Sequence, residues 1–77
     1  VNLKVTDKLR RVRKHMKRLH PGNFAHDKDI LKWCVYLRDE VAMPAGLKVG
    51  PDELAYIMSL TVGQAKQAIM EVWDQEL

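Results

Sequence analysis

"DELAYIMSLTVGQAKQAIMEVW", residues 52–73, carries the clearest signals for how this chain folds. Just before it, Gly50 precedes Pro51, and Asp52 and Glu53 follow. Proline suits the first helical position, because its missing N–H would be unsatisfied there anyway, and carboxylates suit the first turn. Leu54, Ala55 and Met58 then fall on one inward side. A second start comes at Thr61, with Gln64 three residues on, the pattern of a capping box. Val62, Ala65, Ile69 and Val72 follow at helical spacing, with Ala68 beside them. Two short helices joined by a tight connection at Ser59 are the expectation.

Upstream, "TDKLRRVRKHMKRL" (6–19) places Leu9, Val12, Met16 and Leu19 on one stripe behind Thr6 as N-cap and Asp7 in the first turn. Pro21 and Gly22 stop it. "HDKDILKWCVYLRDEVAM" (26–43) begins at His26 or Asp27. Its stripe is Ile30, Cys34, Leu37 and Val41, widened by Leu31, Trp33 and Met43, and Pro44 ends it. Leu47 and Val49 flank Lys48, which allows a short extended piece. The fold class is all-α: four helices near residues 6–20, 27–43, 51–59 and 61–76, in one domain made of a basic helical segment (1–22) and a helical core (23–77).

A chain of 77 residues buries a modest core and leaves little room for a deep substrate cleft, which favours a binding module. A hydrophobic share of 47% is that of a folded domain rather than a disordered one. No apolar run approaches the roughly 18 to 20 residues of a membrane span, and no membrane role is expected. Cys34 is the single cysteine, so no internal disulfide forms, and the cytoplasm is the default compartment.

Charge is distributed unevenly. Residues 1–20 hold eight Lys or Arg against Asp7 alone, a balance of +7, while residues 21–77 hold five basic and nine acidic residues, a balance of −4. Lys8, Arg10, Arg11, Arg13, Lys14, Lys17 and Arg18 crowd one helix. Like charges at that spacing repel, and a polyanion that neutralised them would recover the cost. Phosphate contacts from Lys and Arg dominate nucleic-acid affinity. A solvated basic face is the plainer alternative. A membrane-surface helix is disfavoured, since the stripe carries no large aromatic anchor.

Residues 53–77 resemble the helix-turn-helix of winged-helix transcription regulators of the GntR type. The match runs through Glu53, Leu54 and Ala55 on the supporting helix, Ser59 at the turn and Thr61 as cap. It continues through Ala65, Ala68, Ile69, Val72 and Leu77 inward. The resemblance implies DNA rather than RNA as partner, and such modules often act as homodimers. It also implies that Thr61, Gln64, Lys66 and Gln67, at the start of the last helix, meet phosphate and base edges, since glutamine pairs bidentately with adenine. The sequence departs from that pattern in charge. Residues 51–77 carry Lys66 against Asp52, Glu53, Glu71, Asp74 and Glu76.

Catalysis and metal binding find no constellation. His15, His20 and His26 are scattered, with only Cys34 to join them, which cannot close a four-ligand zinc site. Cys34 on the apolar stripe reads as a buried, inert thiol. Asp39 and Glu40 are adjacent and diverge on a helix. No cofactor is expected, and the chain reads as a non-enzyme. Trp33 and Trp73 read as core or rim aromatics, and an exposed Trp73 would anchor a protein partner. The leading expectation is a small DNA-binding regulator. The runner-up is an adaptor or inhibitor, of the kind phages encode, that docks on a larger nucleic-acid-processing enzyme.

Overall fold

The computed structural model describes residues 4–73. Four helices form an all-α domain, with no strand among the described residues. Helix α1 spans Asp7–Leu19, α2 begins with Asp27–Tyr36, α3 spans Pro51–Met58 and α4 spans Val62–Val72. The core joins all four: Leu9, Val12 and Met16 from α1, Ile30, Cys34 and Leu37 from α2, Leu54, Ile57 and Met58 from α3, and Ala65, Ala68, Ile69 and Val72 from α4. Helix α3 is the hub, packing α1 on one side and α4 on another, while α2 packs chiefly on α4.

Local chemistry explains the helix ends. The Leu9 N–H donates to Thr6 Oγ1 at 3.2 Å, closing α1 at its start. Glu53 Oε1 accepts from the Gly50 N–H at 2.9 Å ahead of α3. The capping box of α4 is complete: Gln64 N–H donates to Thr61 Oγ1 at 3.1 Å and Thr61 N–H donates to Gln64 Oε1 at 3.0 Å. Between α3 and α4, Ser59 adopts the left-handed conformation, φ 56° and ψ 44°. That turn lets the Leu60 N–H reach the Ala55 carbonyl at 2.9 Å. It favours glycine, and serine holds it at a steric cost.

The second helix departs from the expected pattern. It continues past Tyr36 as a π-helical stretch, Leu37–Ala42, and a final turn, Met43–Ala45. Pro44 therefore does not end it. The wider π turn accommodates a residue that lacks an N–H and would crowd the carbonyl four residues back. The Met43 N–H bonds instead to the Arg38 carbonyl, five residues back. The end comes at Gly46, left-handed at φ 65°, with the Leu47 N–H on the Ala42 carbonyl at 2.9 Å. The extra residue in the turn widens the inward face to take in position 42. Ala42 is buried at 2% exposure, Val41 packs half-buried against the core as expected, and Met43 is 68% exposed rather than part of the stripe.

Four smaller corrections stand beside it. Leu19, in the last turn of α1, is 42% exposed. Val62 opens α4 ahead of the packed region and is 44% exposed. Ile57, not expected there, joins the core of α3, and Ala55 packs half-buried against it on the inward side, as expected. Leu47 to Val49 form loop, not strand. The expected extension of the last helix to residue 76, and Leu77 as an inward position, lie outside the described residues.

Candidate nucleic-acid interface

Helix α1 lies with its apolar stripe in the core, which fixes where its seven cations go. Two of them are held by the fold. Lys8 Nζ donates to the Ala45 carbonyl at 2.8 Å, capping the C-terminus of α2. The half-buried Arg13 stacks its guanidinium over the Tyr56 ring at 4.5 Å, tying α1 to α3. The remaining five, Arg10, Arg11, Lys14, Lys17 and Arg18, are exposed. Arg10 lies 3.7 Å from Asp7 in a loose, solvent-exposed pair, and the other four form no ion pair among the described residues. Arg10, Arg11 and Lys14 line a shallow depression with Asp7.

The flank of α1 that faces α2 is aromatic. The His20 ring stacks on Phe24, centroids 4.1 Å apart, and meets Trp33 edge-on at 5.6 Å. Trp33 in turn meets Tyr36 edge-on at 5.6 Å. His15 Nε2 lies 3.4 Å from the Tyr36 hydroxyl. His15 and His20 thus join α1 and the turn after it to α2, while His26 stands exposed at the N-cap of α2. Among the described residues no three His, Cys, Asp or Glu side chains cluster as a metal site. Cys34 is fully buried, its Sγ 3.5 Å from Met58 Sδ, and burial pushes the thiol up to about 12. It stays a thiol at neutral pH.

The residues expected to read bases are differently placed. Helices α1 and α4 both pack on α3 and make no extensive contact with each other. Thr61 and Gln64 bond to one another in the capping box. Gln64 Oε1 already accepts from the Thr61 N–H, so turning both amide atoms to an adenine competes with the cap. Gln64 and Gln67 also line a groove of about 390 Å³ between α2 and α4, with Asp27, Ile30, Leu31, Ala68 and Glu71. Lys66 and Met70 are exposed.

Trp73 is half-buried against the core at the end of α4. It lines a second groove with Arg38, Met43, Leu47, Lys48 and Val49. Arg38, half-buried in the π stretch, donates to the Val72 carbonyl and caps α4. Its Nε lies 2.7 Å from Asp39 Oδ1. That hydrogen bond holds the Asp39 carboxyl below its ordinary range and raises the Arg38 guanidinium above its own. Sequence reasoning missed Tyr56 and the Ala45 carbonyl as partners of α1, and the α2–α4 groove. No spacing rule links residues so far apart in the chain.

Comparison of the chain with protein-family models, curated proteins and solved structures finds no match. Among the described residues, no helix is long and apolar enough to cross a membrane.

Proposed function

We propose that this chain is a small nucleic-acid-binding regulatory protein, without catalytic activity, that grips phosphates through α1. The observation that carries this reading is the exposed row Arg10, Arg11, Lys14, Lys17 and Arg18 on a helix whose opposite stripe is locked in the core. The row spans residues 10 to 18, about 12 Å of helix axis, and so reaches several phosphates of one duplex face. The tight turn at Ser59 and the capped start of α4 support a helix-turn-helix relationship between α3 and α4, and on that ground DNA is favoured over RNA. Affinity comes chiefly from phosphates, and base reading by Gln64, Lys66 and Gln67 adds little. The experiment is a salt titration of binding to random-sequence duplex DNA. The logarithm of affinity should fall linearly with the logarithm of salt, at about 0.9 per phosphate engaged, to a limit of about 4 to 5 for the five cations. Affinity that does not change with salt removes the reading.

A second reading, an adaptor docking on a larger nucleic-acid-processing enzyme, is favoured by one observation. Trp73 and the 68% exposed Met43 border a common groove, and large side chains of that kind anchor protein interfaces. In that case Trp73→Ala, once shown to fold, lowers partner capture by about 2 kcal/mol or more while leaving duplex binding intact.

A further inference from the structure

The groove between α2 and α4 has a built character that the phosphate-binding face lacks. From α4 it takes Gln64, Gln67, Ala68 and Glu71, which share one stripe at helical spacing. From α2 it takes Asp27, Ile30 and Leu31, again on one side. Ile30, Leu31 and Ala68 make an apolar floor, and Ala68, with only a methyl group, leaves the space open. The exposed carboxylates of Asp27 and Glu71 stand on the rim, and neither forms an ion pair among the described residues. Gln67 brings an amide able both to donate to and to accept from a peptide backbone. The stripe from Gln64 to Glu71 runs about 10 Å, two helical turns. A carboxylate-rimmed groove repels nucleic acid, so this surface is unsuited to the polyanion that α1 would hold.

We propose that this groove docks a short segment of a partner protein whose apolar side chains are flanked by lysine or arginine. The apolar groups would seat on Ile30, Leu31 and Ala68, and the cations would meet Asp27 and Glu71. The chain then works as a bridge, with one polar face for phosphates and a second, of opposite charge, for a basic protein segment. Docking in the groove does not need the phosphate grip of α1, whereas the bridge rests on it, and Gln64 and Gln67, when covered by the segment, are withdrawn from any base contact.

The test uses two probes, a 12-residue amphipathic peptide of leucine, lysine and alanine, and its twin with glutamate in place of lysine. Each is titrated into the isotopically labelled chain and followed by amide chemical shifts and by anisotropy. The lysine peptide should shift Ile30, Leu31, Gln67 and Ala68. The glutamate twin should bind at least tenfold more weakly there. The double variant Asp27→Asn, Glu71→Gln should lose at least tenfold in affinity for the lysine peptide. Gln67→Lys, a substitution on an exposed position of a helix that lysine suits, should lose as much by placing a cation in the groove. Equal binding of the two peptides, shifts centred on α1 or around Trp73, or undiminished binding by both the double variant and Gln67→Lys would each overturn the proposal.

Discussion

On α1, Arg10, Arg11, Lys14, Lys17 and Arg18 stand exposed, backed by a helix that core packing and the partners of Lys8 and Arg13 hold in place. On α4, Thr61 and Gln64 bond to each other, and Gln67 and Glu71 line the groove beside α2. Both surfaces are polar, and they differ in how far their groups are already bonded within the fold. Five cations of α1 make no bond among the described residues beyond the loose Arg10–Asp7 pair, whereas the polar groups at the start of α4 partly satisfy the backbone of their own helix. Counting polar residues on a helix therefore overstates what it can offer a ligand. Each group must first be cleared of its internal bonds.

The strongest way to break this comparison is to disturb the packing that sets α4 in place. Ala65 is fully buried where α4 packs into the core. Ala65→Leu should overpack that region and cost about 1 to 3 kcal/mol in chemical denaturation. A variant as stable as the parent would mean that the packing around Ala65 is loose and the orientation of α4 unfixed. Next in size is the cap. Thr61→Ala removes the acceptor for the Gln64 N–H and should cost about 1 kcal/mol of stability, yet leave the salt slope of duplex binding unchanged. If the slope falls, Thr61 touches phosphate and the two surfaces act as one.

Ser59→Gly sharpens the account of the turn. Glycine takes the left-handed conformation without the Cβ penalty, and part of the gain is offset by a more flexible unfolded chain. A rise in stability of about 0.5 to 1 kcal/mol is expected from thermal unfolding. A fall would show that the serine side chain contributes more than its backbone strain removes. The smallest effect is expected at Gln67. Gln67→Ala should change discrimination between a selected and a random duplex by less than about 0.5 kcal/mol, against the roughly 1 to 3 kcal/mol of a bidentate base pairing. Discrimination that collapses in this variant would make α4 a reading helix.

The helix starts were legible because their causes are local. Thr6, Pro51 and the Thr61–Gln64 pair act within four residues of the ends they define, and each helix begins where they indicate. The end of α2 was not legible. A periodic reading carries the stripe from Leu37 through Val41, which does pack on the core, to Met43, and only the π turn ahead of Pro44 buries Ala42 and leaves Met43 outside. Of the seven cations on α1, the sequence shows all of them and cannot separate two from five. Lys8 is spent on a carbonyl 37 residues away, and Arg13 on a tyrosine of another helix. The α2–α4 groove was invisible for the same reason, being made from two stripes that only the fold brings side by side.

The central claim is that α1 binds nucleic acid through phosphates and that α4 adds little. The measurement that tests it most directly compares the salt dependence of random-duplex binding between the parent chain and the variant in which Arg10, Arg11, Lys14 and Arg18 are all glutamine. All four side chains are exposed, so the fold should hold, and relief of like-charge repulsion should leave stability equal or slightly higher. The account predicts weaker binding to every sequence alike. It also predicts a log–log slope flatter by about 0.9 for each phosphate no longer engaged, up to about 3.6 for four. Unchanged affinity with an unchanged slope in a folded variant would contradict it, and would place the partner of this chain elsewhere on its surface.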